Sequence, residues 1–195
     1  MSNSGELEGV GDLKRGLIYI FISDLLSSVF YVSGFITHSA SPIVEVVSLL
    51  IGLVLAVMAL MNLRRGFTTL SSMGKGGSLG ASGVMLIVVG LAIALLGILL
   101  MFIVLLGGAA VAIMGLVIII VGFVMIGVGF YSVGSAYNNS TLKIGGILTA
   151  LFFVPFLPLV GLILDYVGLG EVEGQLRASQ ASQPGAAPTV SPPTL

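Results

Sequence analysis

The chain has 195 residues, of which 57% are hydrophobic and only 8% are charged, and its formal net charge is −1. Soluble domains carry about 25% charged residues, so this composition excludes an ordinary soluble domain, and the charge gives no indication of a nucleic-acid partner. With no cysteine and one histidine, the chain alone cannot build a disulfide, a thiolate nucleophile or a cysteine-ligated metal centre, and we expect no cofactor.

Five apolar segments are long enough to cross a bilayer, whose hydrocarbon core of about 30 Å takes about 20 helical residues. They are residues 16–37, 42–62, 83–106, 108–131 and 144–167. Residues 1–15 precede them as a cytoplasmic segment, and residues 171–195 follow as a tail whose proline, serine and threonine content predicts disorder. The sequence therefore predicts an all-α integral membrane protein, a five-span helical bundle within residues 16–170.

The first span carries a stripe of polar residues on one helical face. Spacings of three, four and seven align Asp24, Ser27, Ser28, Tyr31 and, at the outer end, His38. A carboxyl group inside a membrane costs about 2.5–3.5 kcal/mol by insertion scales, so it usually faces protein or water. One interpretation is an interhelical hydrogen-bonding face, in which Asp24 is protonated or paired with Asn62, Ser48 or Thr149. The others are a proton or cation relay and a contact between copies of the chain.

A second candidate cluster lies at the outer membrane boundary, where His38, Glu45 and Asp165 could share one layer. Two carboxylates and an imidazole could hold a divalent cation or respond to pH. Helix capping explains Glu45 equally well, because it follows Ser41 and Pro42 at the start of the second span. We therefore predict no metal site here.

The third and fourth spans lie in a run from Gly76 to Leu142 that contains no charged residue and no histidine. The run is too long for one crossing, and Gly107–Gly108 is the predicted turn. Glycines recur at every seventh position on both sides of it: Gly83, Gly90, Gly97, Gly108, Gly115, Gly122 and Gly129. Small residues allow close helix contact in lipid, so we predict an antiparallel glycine-heptad hairpin. Folding at residue 106 would pair Gly97 with Gly115, Gly90 with Gly122 and Gly83 with Gly129.

The fifth span contains Pro155 and Pro158, which interrupt helical hydrogen bonding. It is predicted either to cross with a kink, which places the tail outside, or to re-enter as a hairpin, which returns the tail to the cytoplasm. Basic residues favour the cytoplasmic side of a membrane. With five crossings that side receives Lys14, Arg15, Arg64, Arg65, Lys75 and Lys143, so the N-terminus is inside.

Residues 76–80 (GGSLG) match the G-x-S-x-G pattern of serine hydrolases. That pattern requires a strand before it and a histidine base nearby, and the histidine of this chain is predicted at the opposite membrane face. We therefore do not predict an enzyme.

Four stretches together resemble an uncharacterised family of multi-pass membrane proteins from thermoacidophilic, Sulfolobus-type archaea. They are residues 7–16 (LEGVGDLKRG), 63–70 (LRRGFTTL), 133–146 (VGSAYNNSTLKIGG) and 160–173 (VGLILDYVGLGEVE). The resemblance covers most of residues 5–174. It implies an archaeal cytoplasmic membrane and an acidic exterior, and it supplies no catalytic residues.

The sequence favours a non-enzymatic membrane protein, an accessory or scaffolding subunit of a larger assembly. Its expected partners are the lipid bilayer and other membrane subunits or further copies of itself. The alternative is a small oligomeric proton or ion transporter or channel that uses the polar face of the first span.

Overall fold

The computed structural model describes residues 2–37, 42–151, 153–154 and 156–182, which form six helices and no strand. The helices are α1 (Ser2–Thr37), α2 (Pro42–Ser72), α3 (Ser78–Met101), α4 (Leu105–Ala136), α5 (Ser140–Ala150) and α6 (Leu157–Ala181). Each helix contacts the next one along the chain, and α1 also contacts α6. The first and last helices therefore meet and close the bundle.

Three helical segments in the described part of the chain are long and apolar enough to cross a membrane. They are Leu50–Ser72 within α2, Ser78–Met101 and Leu105–Ala136. Large apolar side chains on them are exposed; Leu99 is 64% and Leu106 is 85% exposed. Contact of such a surface with hydrocarbon costs no free energy, whereas its contact with water is unfavourable. These three segments correspond to the second, third and fourth of the five predicted spans.

The turn between α3 and α4 lies at residues 102–104, earlier than predicted. Val104 adopts an extended conformation, and its N–H donates to the carbonyl oxygen of Leu100 at 2.8 Å. Gly107 and Gly108, the predicted turn, lie in the first turn of α4. Gly108 is buried against α3, where a methyl group on it would lie 2.7 Å from the carbonyl oxygen of Gly97. Gly108 thus serves the close contact between the helices rather than the turn.

The seven glycines of the repeat are all buried. A methyl group on Gly90 would lie 2.8 Å from the carbonyl oxygen of Gly115, and one on Gly83 would lie 2.6 Å from that of Gly122. The predicted partners were Gly122 and Gly129, so the observed register is displaced by one seven-residue repeat. The displacement follows from the earlier turn.

The predicted fifth span consists of two helices. Helix α5 ends at Ala150 and α6 begins at Leu157, after Phe156, which has a positive φ of 68°. Pro158 lies in the first turn of α6, where its missing N–H breaks no helical hydrogen bond. The 11 residues of α5 extend about 16 Å, roughly half of a bilayer core. The described residues of the segment 144–167 therefore form two helices that pack against each other.

The first and last helices extend beyond the predicted spans. Helix α1 begins at Ser2, before the span predicted to start at residue 16, and Val10 and Leu13 are buried in the core. Helix α6 continues to Ala181, past the predicted start of the tail at residue 171, because Val172 and Leu176 are also buried. Residues 183–195, which include the four tail prolines, lie outside the described residues.

The hydrophobic core is concentrated near one end of the bundle, where α1 begins, α2 and α4 end, and α6 ends. Phe67 of α2 and Phe130 of α4 form its centre, with ring centroids 5.0 Å apart and a tilted geometry. Leu13 and Leu17 of α1 and Leu169 of α6 are fully buried in the same cluster. The ion pairs of Lys14 with Glu173 and of Lys75 with Glu6 also lie at this end, which we call the charged end.

Candidate functional site

The charged end joins α1 to α6 through an ion pair. The Nζ atom of Lys14 lies 2.7 Å from Oε2 of Glu173, and Arg177 pairs with Oε1 of the same carboxylate. The hydrogen bond from Lys14, followed by that from Arg177, outweighs partial burial and lowers the pKa of Glu173. Lys14 also lies 5.3 Å from the centroid of the Tyr166 ring. The end of α6 therefore lies beside α1, whereas five full crossings would have placed it at the opposite end of the bundle.

A second polar group at the charged end centres on Glu6, which is 5% exposed. The hydroxyl of Tyr137, which follows α4, donates to Oε2 of Glu6 at 2.8 Å. Lys75, between α2 and α3, lies 3.6 Å from the same oxygen and 5.1 Å from the centroid of the Tyr137 ring. Burial, and then the hydrogen bond and negative charge of Glu6, raise the pKa of Tyr137. One carboxylate thus links α1 to two different connections.

Asn139 forms a third link. Its side-chain oxygen accepts a hydrogen bond from the backbone N–H of Leu142 at 2.8 Å and so caps α5. Its side-chain nitrogen donates to Oε2 of Glu171 in α6 at 2.7 Å. Thr141 donates to the other oxygen of Glu171 at 3.3 Å. The first turn of α5 is thereby fixed to α6.

The interior of the bundle holds a cavity of about 550 Å³ that is lined by residues from all six helices or their caps. Its lining residues are Ile20, Ser23, Asp24, Ala56, Ala59, Leu60, Leu63, Ile87, Leu91, Phe123, Ile126, Thr149, Phe156, Pro158, Leu159 and Leu162. All but three of these are apolar, and the three are Ser23, Asp24 and Thr149. The cavity is therefore an apolar chamber with a small polar region.

Next to the cavity, α5 and α6 share a buried hydrogen bond. Thr149 donates from its hydroxyl to Oδ2 of Asp165 at 2.8 Å, and Asp165 is completely buried. Among the described residues, Oδ1 of Asp165 has no hydrogen-bond partner. That oxygen faces Gly145, where an added methyl group would lie 2.7 Å from the backbone nitrogen of Asp165. Gly145 thus lets the carboxyl group lie directly against α5.

The structure describes the predicted polar stripe of the first span only in part. Asp24 is exposed and lines the cavity. The hydroxyl of Ser28 donates to the backbone carbonyl of Asp24 at 2.8 Å, a bond within α1. The side chains of Ser27 and Tyr31, and the whole of His38, lie outside the described residues.

Two of the three residues expected to pair with Asp24 are described, and both form hydrogen bonds with other groups. Asn62 donates to the backbone carbonyl of Met58, and Thr149 donates to Asp165. Ser48, the third candidate, has a side chain outside the described residues. The pairing of Thr149 with Asp165 was not predicted, although both residues lay in the segment predicted to bend.

The outer-boundary cluster cannot be assembled from the described residues. His38 and the side chain of Glu45 lie outside them, whereas Asp165 is buried between α5 and α6. Within the described part of the chain, no three side chains of His, Cys, Asp or Glu come together as a metal-ligand set.

A family model described as "Protein of unknown function (DUF973)" matches residues 6–195. The chain belongs to this family. No curated protein and no solved structure matches it. The match begins at Glu6 and includes the charged end and every residue that lines the cavity, so both features lie within the DUF973 region.

Proposed function

We propose that this DUF973 protein is a non-enzymatic, multi-pass protein of the archaeal cytoplasmic membrane that acts as an accessory or scaffolding subunit of a larger membrane assembly. In the proposed topology α1 to α4 cross the bilayer and α5–α6 re-enters it. The N-terminus and the end of α6 then face the cytoplasm.

The distribution of basic residues supports this topology. The chain has seven Lys and Arg residues, and the hairpin brings Arg177 to the charged end, where it and Lys14 pair with Glu173. Lys75 is held there by Glu6. Arg64 and Arg65 fall between Leu63 and Phe67 of the core. The positive-inside rule then assigns the charged end to the cytoplasm.

The scaffolding role is supported by how the polar side chains are used. Glu6, Glu171 and Glu173 are each hydrogen-bonded to another helix or connection, which fixes the arrangement of the helices. The outer faces of α2, α3 and α4 carry exposed apolar side chains over most of their length. A rigid bundle with apolar outer faces suits lateral contact with lipid and with other membrane helices.

The test is purification in a mild detergent after chemical crosslinking in intact membranes. We expect a second membrane protein to co-purify in a fixed stoichiometry. Only monomers or homo-oligomers of this chain, with no partner after crosslinking, would contradict the subunit role.

A transporter or channel is the second candidate, because Asp24 of the first span lines the interior cavity together with Thr149. An ionisable residue at that depth is a common element of ion and proton paths. Proton and cation flux into liposomes that contain the protein tests this function. An Asp24→Asn variant with unchanged flux would remove it.

A further inference from the structure

The interior cavity has the size and composition of a binding site. Small-molecule sites usually measure about 300–1,000 Å³ and combine apolar walls with a few polar groups. The volume of about 550 Å³ falls within this range. Leu63, Ile87 and Ile126 line the cavity and also belong to the buried core, so the cavity ends at the core on the side of the charged end.

The cavity opens beside Asp24. Asp24 is exposed and also lines the cavity, whereas Leu63 and Ile126 are buried. Leu91 and Leu159, which also line it, are 40% and 44% exposed. A ligand can therefore enter from the apolar surroundings of the bundle and pass the carboxyl group.

The polar groups of the cavity mainly accept hydrogen bonds. Among the described residues the Asp24 carboxyl group has no hydrogen-bond or ion-pair partner. The Thr149 hydroxyl already donates its proton to Asp165, which leaves its oxygen lone pairs available. Ser23 has a long bond of 3.5 Å to the carbonyl of Gly52. Among the described residues that line the cavity there is no Lys, Arg or His.

This chemistry selects for one class of head group. A carboxylate with no basic residue beside it attracts a cation or a hydrogen-bond donor and repels an anion, and the interaction is stronger in apolar surroundings than in water. The apolar walls, from Ala56 of α2 to Leu162 of α6, suit a hydrocarbon chain.

We propose that the cavity binds a single-chain amphiphile with a cationic head group, its chain lying along the apolar walls and its head at Asp24. This proposal does not rest on the subunit role, because it is argued from the lining of the cavity alone.

The experiment measures the retention of dodecylamine, dodecanol and dodecanoate, which share one hydrocarbon chain, by native mass spectrometry of the purified full chain released from a neutral detergent. For the unmodified protein we expect one bound amphiphile per chain, with the amine retained most strongly and the carboxylate least.

Asp24→Asn removes the charge and keeps the shape. We expect dodecylamine binding to weaken about tenfold or more, the usual loss for a hydrogen bond to a charged group, and dodecanol binding to change little. Asp12→Asn is the matched control, because Asp12 carries the same charge at the charged end, 3.7 Å from Arg15. The Asp12→Asn variant should retain dodecylamine as strongly as the unmodified protein does.

A second variant tests the cavity without changing a charge. Ala56→Phe places a ring among the lining residues, and retention of both the amine and the alcohol should be lost. If Asp24→Asn does not yield folded protein, Ala56→Phe still tests whether the amphiphile binds in the cavity. Equal retention of the three amphiphiles by the unmodified protein, or full amine retention by either cavity variant, would overturn the proposal.

Discussion

Gly115 is the position where the contact between α3 and α4 can be tested most sharply. A methyl group on Gly115 would clash with the backbone nitrogen of Ala94 and would lie 2.7 Å from both the Ala94 Cα and the carbonyl oxygen of Gly90. Ordinary contacts of this kind begin at 3.4 Å, so the two backbones would have to separate by about 0.7 Å or more. All three contacting atoms belong to the backbone, so none can rotate away as a flexible side chain would.

The expected cost of Gly115→Ala follows from two opposing terms. Overpacking of this kind costs about 1–3 kcal/mol, and a backbone clash belongs near the upper limit. Replacement of a glycine inside a helix by alanine returns about 1 kcal/mol through helix propensity. We therefore expect a net loss of about 2 kcal/mol in the free energy of unfolding.

Gly107→Ala is the matched control on the same helix. Its methyl group would meet only the side chain of Val104, at 3.3 Å, which can adjust. Because it gains helix propensity without a backbone clash, we expect it to be as stable as the unmodified protein or up to about 1 kcal/mol more stable. Equilibrium unfolding in mixed micelles with increasing dodecyl sulfate measures both variants. Equal stability of Gly115→Ala and Gly107→Ala would refute the close contact between the helices.

Three further predictions concern the charged end and the α5–α6 hairpin. Because Lys14 lowers the pKa of Glu173, that ion pair stabilises the fold fully above the unfolded-state value of about 4.3 and is lost as pH falls through the lower folded value. Glu173→Gln should therefore cost about 1 kcal/mol at neutral pH, and its thermal unfolding should converge with that of the unmodified protein below about pH 4. Thr149→Val should cost about 1–3 kcal/mol in the same micellar unfolding assay, because Asp165 loses its hydrogen-bond donor. A cysteine at Ser182 should react with an impermeant maleimide only from the cytoplasmic side.

Each of these predictions has an outcome that would contradict it. If the difference in thermal unfolding between Glu173→Gln and the unmodified protein stayed constant from pH 7 to pH 3, the charge of Glu173 would not contribute to stability. Thr141→Val is the control for Thr149→Val, because Thr141 is more exposed and its bond of 3.3 Å is weaker. Equal effects of the two would count against the buried bond. Labelling of the Ser182 cysteine from outside would instead support a kinked crossing that places the end of α6 outside.

The glycine repeat illustrates what the sequence could and could not determine. The seven-residue period places its glycines on one helical face, and all seven are buried, together with other residues such as Val84 and Phe130 that the period does not include. It could not determine the register, because a shift of seven residues again places glycines opposite glycines. The turn decides the register, and residues 102–104 carry no glycine or proline that would have indicated it.

The sequence analysis did not predict the contacts at the charged end, for a different reason. Lys14 and Glu173 are complementary in charge, but the prediction of five crossings placed them on opposite sides of the membrane. Pro155 and Pro158 indicated that residues 144–167 were interrupted, and the sequence favoured a kinked crossing, with a hairpin as the alternative. The choice depends on contacts between α6 and α1, which lie far apart in the chain and leave no local pattern.

The sequence did not predict the cavity, although it singled out Asp24. Its spacing placed it on a polar face of the first span, and the structure places it at a chamber that all six helices or their caps line. Residues such as Ala56, Phe123 and Leu162 have no chemical signature of a site. They line the cavity because of tertiary packing, which periodicity alone does not specify.

In the proposed topology, hydrocarbon surrounds α3 and α4 while the charged end stays in water. Hydrogen–deuterium exchange of the protein in sealed lipid vesicles tests it most directly. We expect strong protection of amides in residues 87–100 and 109–120, on either side of the turn, and rapid exchange of the Gly76 amide in the connection between α2 and α3. Exchange in those two helical segments as fast as at Gly76 would contradict this topology.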